Sequence, residues 1–175
     1  DEARGALGDV LAEVLPRDVG EAGTREAHHV HEDREAPAAA ARGDYLVFID
    51  ADTFLKPNAL TATYAKALET SADMFTIMND QIMLTFWERS VMPLIFTALS
   101  VGFSPRKVND PHTRDAIANG QFIMIRRTVY NAIGGHEKVK DQIVEDKAIS
   151  EQVKWNGHRL VVADGSKVIR TRMYT

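Results

Sequence analysis

The sequence feature that most constrains the fold is an uninterrupted apolar run at residues 45–49, Tyr-Leu-Val-Phe-Ile. A run this short, rich in aromatic and branched side chains and followed by polar residues, predicts a strand that is covered on both faces. Helices packed on both faces of a sheet provide such cover, so the run favours an α/β fold. The run leads directly into Asp50-Ala51-Asp52, which puts two acids where the strand ends.

Strand-like and helix-like patterns alternate along the rest of the chain. Apolar runs predict strands at residues 74–78, 121–125 and 159–163, and apolar periodicity predicts helices at residues 60–68, 129–133 and 143–154. This alternation is typical of α/β proteins and excludes an all-β fold or a helical bundle. We expect a mostly parallel sheet flanked by helices.

Composition divides the chain near residue 44. Residues 1–44 hold 11 acids and 5 arginines, which leaves 14 acids and 16 bases, of the chain's 25 and 21, for residues 45–175. The first part also lacks Phe, Trp, Tyr and Ile. We therefore expect a thinly packed helical and loop segment at residues 1–44, with an amphipathic helix at residues 7–15, followed by a densely packed core at residues 45–175.

Overall composition excludes several classes of function. The chain has no Cys, which removes disulfides, thiolate metal sites and cysteine nucleophiles. A formal net charge of −4 argues against a nucleic-acid partner, since nucleic-acid binding favours a basic surface.

His28, His29 and His31 lie beside Glu32 and Asp33. Imidazole and carboxylate groups are common metal ligands, so one interpretation is a metal site. Their spacing matches no known metal motif, which favours the alternative of a solvated polar loop.

Residues 90–103 form a 14-residue stretch without a charge. It is too short to span a bilayer, which takes about 20 apolar residues. Two interpretations are open: a buried helix, or a helix that lies in a membrane interface.

Two acidic pairs are the candidates for chemistry. Asp50 and Asp52 are two residues apart in extended backbone and point the same way, at the sheet edge where α/β proteins bind ligands. Paired carboxylates there favour Mg²⁺ or Mn²⁺, which binds diphosphate oxygens. Glu145 and Asp146 open a predicted helix. They either stabilise the helix dipole or supply a general base.

The sequence resembles family 2 glycosyltransferases of the GT-A fold in four blocks that keep their order and spacing. These are residues 43–53 (GDYLVFIDADT), 119–127 (NGQFIMIRR), 133–137 (IGGHE) and 144–146 (VED). Two further blocks, residues 86–89 (FWER) and 108–111 (VNDP), are most similar to the hopanoid-associated, carotenoid and ceramide glycosyltransferase branch.

The resemblance implies a function and a set of site residues. It implies transfer of a sugar, with inversion, from a nucleotide-diphosphate sugar to an acceptor hydroxyl. Asp50 and Asp52 would bind the metal and the diphosphate, and Asp146 would be the catalytic base with Glu145 beside it. The remaining residues implied to bind the nucleotide-sugar are Gly120, Gln121 and Arg172. The narrower branch implies a lipid or polyisoprenoid acceptor and a cytoplasmic location at the inner face of the membrane.

The sequence departs from that family at its front. Family members begin with a nucleotide-binding strand, and we expect this chain to lack it and to bind nucleotide-sugar weakly by itself. Two other functions are open besides sugar transfer. The first is a truncated, non-catalytic module that binds ligands or docks on membranes. The second is a haloacid dehalogenase-type phosphatase, in which an Asp-x-Asp also follows a strand. The phosphatase needs a Thr where Phe54 stands, which disfavours it.

Overall fold

The computed structural model describes residues 11–16, 38–50, 52–78, 80–102 and 104–171. The strands, in chain order, are β1 (Leu11–Pro16), β2 (Tyr45–Ile49), β3 (Thr53–Leu55), β4 (Met74–Met78), β5 (Asp80–Gln81), β6 (Phe122–Arg126), β7 (Leu160–Asp164) and β8 (Ile169–Thr171). The helices are α1 (Ala59–Glu69), α2 (Phe86–Gly102), α3 (Pro105–Asn109), α4 (Arg127–Ala132) and α5 (Glu145–Trp155), with a 3₁₀ turn at Glu137–Val139.

The central sheet has five strands in the order β1-β2-β6-β4-β7. β1 pairs parallel with β2, and β4 pairs parallel with β7. β6 lies antiparallel between β2 and β4. The α/β expectation is therefore confirmed, whereas the expectation of a mostly parallel sheet is wrong, because the sheet is mixed. All five residues of β2 are buried and so are the first four of β6, and apolar content alone does not reveal the direction of such strands.

The N-terminal helix predicted at residues 7–15 is wrong where the structure describes it. Residues 11–16 form β1, which runs beside β2 with Leu11 opposite Tyr45 and Pro16 opposite Ile49. Pairing with a buried strand overrides a weak local helical periodicity. A strand therefore does precede Asp50, contrary to the expectation that the first strand is missing.

The core lies on both faces of the central sheet. Leu46 and Phe48 of β2 belong to one buried cluster, which also contains residues of α4 and α5. The alternating residues Tyr45, Val47 and Ile49 belong to a second cluster with residues of α1. This two-sided burial confirms the prediction made from the apolar run at residues 45–49.

A second sheet was not predicted. It has three short strands in the order β3-β8-β5. β3 begins immediately after Asp52, and β5 follows β4. The small sheet therefore sits where two strands of the central sheet end.

Helix α2 begins at a reciprocal cap, and most of its described side chains are exposed. The N–H of Glu88 donates to Thr85 Oγ1, and Glu88 Oε2 accepts the N–H of Thr85, which is a capping box. Phe86, Trp87 and Leu94 are 75%, 73% and 70% exposed. Val91 and Ile95 are exposed as well, so the buried-helix interpretation is wrong for the part of residues 90–103 whose side chains the structure describes. Within the described residues, the structure contains no helix that is long and apolar enough to cross a membrane.

Candidate active site

The candidate site lies at one edge of the central sheet, which we call the front edge. Register places Ile49 opposite Phe122 and Met78 opposite Asp164. The carboxyl ends of β2, β4 and β7 and the amino end of β6 therefore meet there. Asp164 is exposed, and its carboxylate accepts the backbone N–H of Ser166, which holds the pKa of Asp164 below its usual range.

Asp50 and Asp52 follow β2 at the front edge. Both residues are half-buried, and the Oδ1 atom of Asp50 is shielded from solvent. The N–H of Thr53 donates to the carbonyl of Asp50 at 3.0 Å, so the chain turns tightly between β2 and β3. The turn keeps both acids at the front edge.

The segment before β6 is fixed by a hydrogen-bonded asparagine. The N–H of Asn119 donates to Thr76 Oγ1 at 3.0 Å, and its Nδ2 donates to the carbonyl of Ile77 at 2.9 Å. Asn119 Oδ1 accepts the N–H of Gln121 at 3.3 Å. These bonds tie the Asn119–Gln121 segment to β4, so Gly120 and Gln121 have a defined position next to the turn at Asp50.

Asp146 reaches this segment from the first turn of α5. Its Oδ2 accepts the backbone N–H of Gly120 at 2.9 Å, and its Oδ1 accepts the N–H of Lys147 at 2.7 Å. The second bond satisfies one of the free N–H groups in the first turn of α5, whereas the first joins α5 to the front edge. The predicted residues Gly120 and Asp146 are therefore in direct contact.

The two acidic sites connect through Gln121. The hydroxyl of Thr53, next to Asp52, lies 3.5 Å from the carbonyl of Gln121 and 3.3 Å from Thr171 Oγ1. A continuous path thus runs from Asp52 through Thr53, Gln121 and Gly120 to Asp146. Five of the predicted site residues lie at or beside this path: Asp50, Asp52, Gly120, Gln121 and Asp146.

Of the other predicted residues, one lies near the site and the rest lie outside the described part of the chain. Glu145 is half-buried as the first residue of α5. Arg172 and the three histidines His28, His29 and His31 lie outside the described residues.

Sequence reasoning missed Thr53, Thr76, Gln81 and Asn119 as parts of the site. Asn119 and Thr53 lie within the blocks that carried the family resemblance, so a signal for them existed. Gln81 had none. Its Nε2 donates to Gln121 Oε1 at 3.1 Å, across 40 residues of sequence.

Asp50 and Asp52 fit a cation that arrives with a phosphate ligand. Among the described residues, no three His, Asp or Glu side chains come together as a metal cluster. Mg²⁺ in phosphate-binding sites commonly takes one or two protein carboxylates and completes its shell with phosphate oxygens and water. Two half-buried carboxylates therefore suit Mg²⁺ or Mn²⁺ bound to a diphosphate.

Comparison with known proteins decides the family. The sequence matches the family described as "Glycosyltransferase like family 2" over residues 1–174. The chain belongs to this family. It is a glycosyltransferase family 2 domain, so the phosphatase alternative is not supported. The match does not extend to the hopanoid, carotenoid and ceramide branch. No curated protein matches the chain.

Solved structures agree with this fold. A crystal structure of S. aureus TarS 1–349 in complex with UDP-GlcNAc is similar at a TM-score of 0.50 and 12% identity, covering 82% of this chain and 39% of that one. A second crystal structure of S. aureus TarS gives a TM-score of 0.53 and 14% identity, covering 81% of this chain and 24% of that one. This glycosyltransferase domain therefore spans less than half of each TarS chain that it resembles, and the likeness concerns the fold alone.

Proposed function

We propose that this domain transfers a sugar, with inversion, from a nucleoside-diphosphate sugar to an acceptor hydroxyl. The observation that carries the proposal is the hydrogen bond from the Gly120 N–H to Asp146 Oδ2. It joins the acid of α5 to the segment beside Asp50 and Asp52. A donor held at the two aspartates would then have its anomeric carbon within reach of a base.

Asp50 and Asp52 would hold the donor's divalent cation, Mg²⁺ or Mn²⁺. When bound, such a cation offsets the negative charge that develops on a diphosphate leaving group. Gly120 suits the wall of the sugar pocket, because it has no side chain to obstruct the sugar. Arg172, predicted from sequence to bind the diphosphate, would complete the donor site.

Asp146 would act as the general base. It removes the proton of the acceptor hydroxyl, whose oxygen bonds to the anomeric carbon from the face opposite the diphosphate. The bond from that carbon to the diphosphate oxygen breaks, and the proton stays on Asp146. The two N–H groups on its carboxylate fix the orientation of the oxygens. Glu145 lies beside it at the start of α5.

UDP-GlcNAc is the first donor to test, because it is the ligand in the TarS complex. The assay measures UDP released by the purified chain from UDP-GlcNAc, UDP-glucose and UDP-galactose, with Mn²⁺ and then with excess EDTA. We expect release from one of these donors that stops when the metal is removed. Tight donor binding without release would instead support the non-catalytic module.

The exposed face of α2 supports a membrane-associated acceptor. Trp87, Val91, Leu94 and Ile95 follow the i, i+4, i+7, i+8 spacing of one helix face, and all four are exposed. Residues 86–107 contain Glu88 against Arg89, Arg106 and Lys107, a local excess of positive charge in a chain of net charge −4. The basic residues flank the apolar face of α2, with Arg89 near its start and Arg106 and Lys107 on the following helix α3. An apolar helix face with basic residues nearby is typical of a helix that lies on an anionic membrane.

Vesicle sedimentation tests this second part of the proposal. The chain should sediment with phosphatidylglycerol vesicles and bind phosphatidylcholine vesicles more weakly. Trp87→Ser and Leu94→Ser should each reduce sedimentation. Leu68→Ser, which removes an exposed leucine from α1, is the matched control and should have no effect. A chain that stays in the supernatant with both vesicles would contradict membrane docking.

A further inference from the structure

We propose that Gln81 determines donor-sugar specificity by positioning the Gln121 amide against the hydroxyls of the sugar. This inference rests on the proposed transfer function and names a residue that neither the sequence motifs nor the family match assigns. It follows from the amide–amide contact between Gln81 and Gln121 at the front edge.

The backbone around Gln81 is held firmly. β5 pairs parallel with β8, with Gln81 opposite Thr171, and the N–H of Ile82 donates to the carbonyl of Thr171 at 2.8 Å. Thr171 Oγ1 in turn lies 3.3 Å from Thr53 Oγ1. The small sheet therefore carries Gln81 on a support that also contacts the turn after Asp52.

Gln121 is fixed from three directions. Its N–H donates to Asn119 Oδ1, its carbonyl lies 3.5 Å from Thr53 Oγ1, and its side-chain Oε1 accepts from Gln81 Nε2 at 3.1 Å. The residue is only 8% exposed. A buried amide is destabilising when it has no hydrogen-bond partner, so the bond to Gln81 selects one orientation of the Gln121 side chain.

The chemistry of the pair suits a sugar. With Oε1 of Gln121 turned to Gln81, the N–H donors of Gln121 and the Oε1 acceptor of Gln81 have no other partner among the described residues and remain for a ligand. Sugar hydroxyls both donate and accept hydrogen bonds, so a neutral pair with one donor group and one acceptor can distinguish how they are arranged. A diphosphate carries only acceptors and negative charge, for which this pair offers no cation.

The position agrees with this chemistry. Gln121 follows Gly120, whose N–H contacts Asp146, and the sugar must come close to that base. The alternative is that the amide pair only ties the small sheet to the central sheet. The two interpretations differ in one measurable respect, because a purely structural tie would not affect the sugar selectively.

The experiment compares Gln81→Leu with wild type, using UDP-GlcNAc, its C4 epimer UDP-GalNAc, and UDP alone. We expect Gln81→Leu to raise the KM for the preferred sugar donor about tenfold or more. It should also reduce the preference between the two epimers, while the Kd for UDP changes less than about twofold. Gln152→Leu, a glutamine on α5 away from the amide pair, is the control and should leave all three values unchanged.

A near-isosteric variant covers the case in which Gln81→Leu does not fold. Gln81→Glu offers only acceptors, so it should draw the Gln121 N–H groups toward itself and alter the ratio of kcat/KM for the two epimers. Equal changes in donor KM and UDP Kd, or no change in epimer preference for the folded variant, would overturn the role of Gln81 while the transfer function stands. A wild-type chain that neither binds UDP nor releases it from any donor would overturn the transfer function itself.

Discussion

The aspartates at the two edges of the central sheet differ in their partners. At the back edge, where β4 and β7 begin and β6 ends, Asp73 Oδ1 lies 3.2 Å from Arg126 Nε. Asp73 Oδ2 accepts the N–H of Arg159 at 2.9 Å and lies 3.8 Å from His158 Nδ1. At the front edge, neither Asp52 nor Asp146 forms an ion pair within the part of the chain that the structure describes.

The difference separates acids that hold the fold from acids that suit a ligand. Asp73 pairs with Arg126 and accepts the N–H of Arg159, so its carboxylate links β4, β6 and β7. Among the described residues, Asp52 and Asp146 have no such cation beside them. A negative edge of this kind favours a cation that arrives with a substrate, which is how Mg²⁺ or Mn²⁺ reaches a diphosphate.

The largest expected effect is on catalysis at the front edge. Asp146→Asn keeps an acceptor for the Gly120 N–H but removes the base, so kcat for sugar transfer should fall about 10²–10⁴-fold. Steady-state UDP release measures it, with circular dichroism as the check on folding. Asp73→Asn serves as the matched back-edge control. Near-normal transfer by Asp146→Asn would show that another group takes the proton.

The next effect concerns the metal. Asp52→Asn should weaken Mn²⁺ binding more than about tenfold in the presence of UDP, since loss of even an outer-sphere partner costs about 10–100-fold. Titration followed by electron paramagnetic resonance of free Mn²⁺ measures the affinity. Asp73→Asn should leave it unchanged. Equal Mn²⁺ affinity in wild type and Asp52→Asn would remove the front edge from consideration as the metal site.

A smaller effect, on stability, is expected at the back edge. Asp73→Asn removes a charge that pairs with Arg126, so the free energy of unfolding should fall by about 1 kcal/mol, a modest value because both groups are partly exposed. Urea denaturation measures this loss. Transfer activity at low denaturant should match wild type. A drop in activity without a loss of stability would mean that the back edge takes part in catalysis.

The smallest effect is expected at an exposed pair on α1. Lys66 Nζ lies 2.8 Å from Glu69 Oε1, with both side chains exposed. Glu69→Gln should change the free energy of unfolding by less than about 0.5 kcal/mol in the same urea assay, because solvent screens such pairs. It also sets the baseline for the Asp73 measurement. A loss as large as that of Asp73→Asn would mean that the back-edge pair has no special structural role.

Local sequence patterns predicted the elements that carry long apolar runs or clear periodicity. The strand at Tyr45–Ile49 and the helix at Glu145–Trp155 lie close to their predicted positions. β3, β5 and β8 have only two or three residues each, too few to establish a period of two. β1 was mistaken for a helix because its pairing with β2 is a tertiary effect that five or six residues do not encode.

The candidate site likewise contains residues that local sequence patterns predicted and contacts that they did not. Asp50, Asp52 and Asp146 stood out because their acids follow a strand or open a helix. The contact between Gly120 and Asp146 spans 26 residues, and that between Gln81 and Gln121 spans 40. Contacts of this length depend on the order and direction of strands in the sheet, which local residue types did not reveal.

The most direct test of the front-edge site is paramagnetic broadening of backbone amide signals by Mn²⁺ in the presence of UDP. We expect the strongest broadening at Thr53, Gly120 and Gln121, and the weakest at Arg159 on the back edge. Asp52→Asn should abolish the pattern at the same Mn²⁺ concentration. Strongest broadening at the back edge or around His28–His31, with the Thr53 and Gly120 signals unaffected, would contradict a metal site at the front edge.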